Sequence, residues 1–142
     1  MADRRLIPLL GCFVLFASLS GGCERVNRLK VYPVRGEVTV DGKPAAGARI
    51  FFHPEANLAD PRALRPIAIV EADGSFRLTT YLANDGAPAG EYVVTVTWPT
   101  KAGADEEISG DRLKYAYADA KKSKLRVTVK AGNNDLEPFR LK

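Results

Sequence analysis

From Val31 onward, apolar and polar residues alternate with a period of two, broken at short intervals by Gly, Pro and Asp. A strand that shows one face to a core and the other to water has this period, so the pattern commits the body of the chain to sheet. Val34, Gly36, Val38 and Val40 alternate with Arg35, Glu37 and Thr39, and Asp41-Gly42-Lys43-Pro44 then turns the chain. Gly accepts a positive φ there, and Pro cannot continue a ladder. Ala48, Ile50 and Phe52 form one face of a second strand that ends at His53-Pro54, and a loop follows over 55–65. A third strand spans 67–71. Asp73-Gly74 marks a hairpin, and Phe76, Leu78 and Thr80 carry a fourth strand. The strongest strand signal is 91–98, with Tyr92, Val94, Val96 and Trp98 on one face. Leu125, Val127 and Val129 make a sixth strand; Leu136, Phe139 and Leu141 make a last one, which Pro138 places at an edge. Over 100–123 the pattern is lost, and one or two helical turns or a long ordered loop both fit. Seven short strands without a long helix predict an all-β, seven-stranded antiparallel β-sandwich over 33–142.

The first 22 residues follow a different pattern. Arg4 and Arg5 precede an uncharged run from Leu6 to Leu19, and Ser20-Gly21-Gly22 forms a small-residue exit. This is the layout of a secretory signal. The run falls short of the roughly 20 residues a spanning helix needs, which makes a transmembrane helix the second choice. Residues 23–32 then form a polar tether. Arg25, Arg28 and Lys30 either add attraction to an anionic lipid surface or belong to a solvated spacer.

Composition narrows the function classes. The chain has 142 residues, enough for one domain, and its 46% hydrophobic content suits a folded core. A net charge of +4 is too mild to point to nucleic acid. One His and two Cys leave too few ligands for most zinc sites and too few cysteines for a disulfide scaffold. No cofactor, metal or nucleic-acid partner is therefore expected.

Two resemblances add to this reading. Leu19-Ser20-Gly21-Gly22-Cys23 resembles a bacterial lipobox, with the aliphatic residue four places before the Cys rather than three. The resemblance implies that residues 1–22 are removed and that Cys23 carries the lipid. It thus implies a partner, the membrane, and a location in the cell envelope with the domain in the periplasm or outside the cell. Acyl chains contribute about 0.8 kcal/mol per buried methylene, so two or more hold a protein durably. Val34-Arg35-Gly36-Glu37-Val38 with Asp41-Gly42-Lys43-Pro44 begins the second resemblance. Gly47 to Phe52, Ala72-Asp73-Gly74-Ser75-Phe76, Pro88 to Tyr92, and Leu125 to Val129 followed by 133–141 complete it. In that order they resemble the transthyretin-like, or carboxypeptidase-regulatory-like, immunoglobulin-type domain of small bacterial lipoproteins. This second resemblance covers 33–141 and implies a non-catalytic binding or structural module, which shared fold alone does not turn into a function.

Catalytic constellations are scarce. Hydroxyisourate hydrolases of transthyretin-like fold use several histidines and a Tyr-Arg-Gly-Ser tail, whereas this chain has His53 alone and ends Phe139-Arg140-Leu141-Lys142. Ring-cleaving dioxygenases of related fold need two His and two Tyr for iron. No G-x-S-x-G motif occurs, so a hydrolase would require a cleft that brings a Ser or Asp to His53. Asp105, Glu106, Glu107 and Asp111 offer oxygen ligands but not the spacing of a calcium loop. Lys121, Lys122, Lys124 and Arg126 read as a wet face. Tyr81, Tyr115 and Tyr117, aromatic residues in expected loops, are the candidates for contact with an envelope protein or a glycan. A carbohydrate-binding module would use the loops at 55–65, 81–90 and 100–123.

Overall fold

The computed structural model describes residues 27–100 and 110–142. The expected signal segment, Cys23 and the acidic group at Asp105, Glu106 and Glu107 lie outside them. The described chain is all-β in several sheets, an arrangement consistent with a β-sandwich. Its strands are β1 (Val31–Tyr32), β2 (Val34–Val40), β3 (Lys43–Pro44), β4 (Arg49–Pro54), β5 (Ile67–Ile69) and β6 (Ser75–Arg77). They continue as β7 (Ala87–Pro88), β8 (Gly90–Thr97), β9 (Arg126–Val129), β10 (Asn134–Asp135) and β11 (Phe139–Leu141). A single 3-10 turn, Glu55–Asn57, follows β4.

Each of the seven expected segments contains a strand, but the count of seven does not hold. Four further strands, β1, β3, β7 and β10, are two residues long and too short to alternate visibly. One sheet runs β5-β4-β8-β9; in the other, β2 is central, with β6 and β3 on one side and β10 and β11 on the other. β1 and β7 pair separately. The expectation of a purely antiparallel fold also needs correction: β10 and β11 both run parallel to β2. A parallel partner requires a long crossover, and here nearly the whole chain separates the two. Side-chain alternation specifies which face is buried and carries no sign of strand direction. Pro138 does precede an edge strand, since β11 ends its path in the sheet.

The core lies where the two sheets face each other. Ile50 and Phe52 of β4 and Val94 and Val96 of β8 are fully buried, as are Val38 and Leu78 of the opposing layer. Phe76 stacks on Phe139 with ring centroids 6.1 Å apart, and Phe52 meets Tyr92 at 5.6 Å. Gly36 lies across from Phe76, and a Cβ there would fall 2.8 Å from the ring, so a larger residue would displace it.

The register defines two ends. Val34 of β2, Leu78 and Thr79, and the β1-β7 pair share the end at which the chain enters. Asp41-Gly42, Asp73-Gly74, Trp98-Pro99 and Lys142 share the far end, about 20 Å away along β2.

Candidate functional site

At the far end, β8 stops where Pro99 can no longer donate to the ladder, and residues 110–122 form successive turns. Asp111 organises this segment. Its buried carboxylate accepts the amides of Trp98 (2.7 Å) and Leu113 (3.1 Å) on one oxygen and that of Tyr115 (3.0 Å) on the other. A carboxylate that captures backbone N–H groups in this way closes a turn without help from sheet. The Arg112 amide also bonds to the Trp98 carbonyl at 2.7 Å, which ties the segment to the end of β8. Asp111 therefore acts within the backbone, where the sequence offered it as an oxygen ligand. Among the described residues, no three His, Cys, Asp or Glu side chains gather as a metal site.

The Asp111 arrangement sets Arg112 over the indole of Trp98, with Cζ 3.8 Å from the ring centroid, a cation–π contact. Trp98 is half-buried, and its Nε1–H donates to the Ala46 carbonyl at 2.9 Å, which fixes the plane of the ring. A hollow of about 270 Å³ opens beside this pair, with Arg49, Ile69, Thr100 and Arg112 in its walls. Two and three residues beyond Arg112, Lys114 and Tyr115 both take left-handed backbone angles, φ 53° and 61°. For non-glycine residues this costs roughly 1–2 kcal/mol each. The result is that Tyr115 stands out, 60% exposed.

The three tyrosines singled out in the sequence separate. Tyr115 and Tyr117 share the 110–122 segment, but Tyr117 is half-buried against the core, and its hydroxyl accepts the Lys142 amide at 3.3 Å. Tyr81 lies at the entry end, where its hydroxyl accepts the Leu29 amide at 3.0 Å and Arg28 Cζ sits 5.2 Å from its ring centroid. They form no single patch. Trp98 and Arg112 take their place beside Tyr115. The sequence showed Trp98 only as the last residue of a strand face, and no local pattern connects it to an Arg fourteen positions on.

His53 projects from β4 and shares a 2.8 Å hydrogen bond between Nε2 and Thr95 Oγ1. Burial, followed by the positive charge of Arg65, holds its pKa below the usual imidazole value. Thr95 is 2% exposed, so the hydroxyl that meets His53 is enclosed within the sheet. A third group, on the outer face of the β2 sheet, is the row Arg77–Arg35–Asp135. Arg35 forms a bidentate pair with Asp135 and is raised by that hydrogen bond, while the Asp135 carboxyl is lowered by it. Both side chains are more than 60% exposed, so the pair adds little to stability. Arg77, directly across from Arg35, borders a second hollow of about 270 Å³ with Asn84 and Asn133.

No protein-family model, no curated protein and no solved structure matches this chain.

Proposed function

We propose that this chain is a lipid-anchored protein of the cell envelope that carries a non-catalytic binding or structural module outside the cytoplasm. The observation that carries the reading is the order of the first 23 residues: two arginines, an uncharged run from Leu6 to Leu19, small residues, then Cys23. The body is read as a β-sandwich of transthyretin-like, immunoglobulin type. Two layers around one core support this. So does Tyr92, whose hydroxyl donates to the Pro88 carbonyl four residues upstream at 2.8 Å. A tyrosine that bonds back to a carbonyl at a strand's start is a recurrent corner of immunoglobulin-type sandwiches.

The face proposed for binding is the far end, at Trp98, Arg112 and Tyr115. Aromatic and arginine side chains supply much of the energy at recognition surfaces, and this pair is already held in place. The same indole favours a second reading, a carbohydrate-contacting module, because a flat ring beside a hollow with Arg49, Thr100 and Arg112 in its walls offers a sugar both an apolar surface and polar groups.

Growth of the producing cells with an alkyne-tagged fatty acid tests the anchor. The wild type takes up label and Cys23→Ser does not; label that is absent, or indifferent to Cys23, overturns the reading. A glycan array, with Trp98→Ala as control, separates the sugar reading from a protein partner.

A further inference from the structure

Among the described residues, Arg28 is the first to pack on the domain, five residues after Cys23. At about 3.5 Å per extended residue, five residues reach at most roughly 18 Å. The residues that follow are held down. The Leu29 amide donates to the Tyr81 hydroxyl, Arg28 packs over the Tyr81 ring, and Lys30 Nζ sits 5.5 Å from the Tyr32 centroid. An anchor at Cys23 therefore brings the entry end, and no other part of the domain, within a short reach of the bilayer.

That end has the surface such a position requires. Leu29 is 59% exposed and Leu82 67% exposed, and Ile67, bridged to Thr79 of the same end, is 43% exposed. Its carboxylates are mostly engaged elsewhere. Asp85 turns inward to the amides of Thr80, Tyr81 and Leu82, Asp60 takes the Arg62 amide, Glu55 pairs with Arg126, and Asp135 pairs with Arg35. Among the described residues, Asp60 and Glu91 stay exposed as acids at this end, against Arg28 and Lys30, whose contacts are with aromatic rings. Apolar side chains flanked by cations suit an anionic bilayer interface, where the leucines enter the headgroup region and the cations meet phosphate.

We propose that the entry end is a membrane-docking face. Leu29 and Leu82 dip into the interface, Arg28 and Lys30 meet anionic headgroups, and the domain stands on the bilayer with Trp98, Arg112 and Tyr115 held outward. This rests on the lipid anchor at Cys23 and adds an orientation to it. A second consequence concerns the loops: 81–90 is turned toward the bilayer, which leaves the 110–122 segment free for partners.

The test uses the full chain, purified from membranes and reconstituted into vesicles of phosphatidylcholine with brominated acyl chains, with and without phosphatidylglycerol. One variant carries a fluorophore on Leu82→Cys at the entry end, and a second carries it on Asp41→Cys at the far end. Intact mass is recorded for each. Quenching confined to the label at 82, stronger with phosphatidylglycerol and reduced severalfold by Arg28→Gln with Lys30→Gln, is the expected result. A lipidated protein whose two labels are quenched equally, or not at all, keeps the anchor and overturns the orientation. An intact mass without lipid on Cys23 overturns both.

Discussion

Asp85 and Asp111 do the same work at opposite ends of the molecule. Burial opposes ionisation of Asp85, but the amides of Thr80, Leu82 and Tyr81 outweigh it and hold the carboxyl below its ordinary range. Asp111 likewise gathers three backbone amides. Replacing either by Ala leaves those donors without a charged acceptor, at a cost of about 2–3 kcal/mol in urea unfolding. The two variants differ in where they act: Asp111→Ala speeds hydrogen exchange at Leu113 and Tyr115, and Asp85→Ala does so at Thr80 to Leu82. His53 gives a separate prediction. Its folded pKa lies below the unfolded one, so the unfolded chain binds more protons between the two values. Stability is therefore complete above the unfolded value, near 6.5, and declines as pH falls from there toward the folded value. Because the chain has a single His, one NMR titration reads that pKa directly, and Arg65→Gln shifts it upward by removing the nearby charge.

Among the elements, the β1-β7 pair depends most on one backbone position. Gly86 has φ 99°, and a Cβ there would fall 1.8 Å from the Tyr32 carbonyl oxygen. Gly86→Ala must displace β1, and we expect a loss above about 2 kcal/mol together with release of the tether from Tyr81, seen as faster exchange at Leu29. Phe52→Ala, in the middle of β4, costs more, about 3–5 kcal/mol, because it opens a cavity between the layers and leaves the pairing intact. The contrast shows what sequence could reveal. The long strands β2, β4 and β8 were legible because one side of each must be apolar, and Ile50, Phe52, Val94 and Val96 are buried as their spacing demands. β1 and β7 were not legible, since two-residue pairings have no period. Nor was the parallel return of β10 and β11, which depends on where the chain travels and not on which residues alternate. Burial of Val93 and Thr95 on the second face of β8 was hidden as well, because it comes from cross-strand neighbours, His53 and Arg126 beside Val93 and Phe51 beside Thr95, which the alternation within β8 does not show.

At the scale of the whole molecule, the two ends divide the work. The entry end holds the tether by Tyr81 and Tyr32; the far end holds Trp98 and Arg112 beside a hollow, with Tyr115 exposed in the same segment as Arg112. Part of this was legible. Tyr115 was marked by type and loop position, but its grouping with Tyr81 failed because loops that are close in sequence order leave opposite ends of the same strands. Trp98→Ala removes the platform under Arg112 and the bond to Ala46, and we expect loss of any far-end ligand with the entry end unchanged. The central claim is that residues 1–22 are an address and Cys23 an anchor. Intact-mass analysis of the protein from its native membrane tests it most directly. The account predicts a chain that begins at Cys23 and carries diacylglycerol and an amide-linked acyl group; a chain that begins at Met1, or an unmodified Cys23, contradicts it.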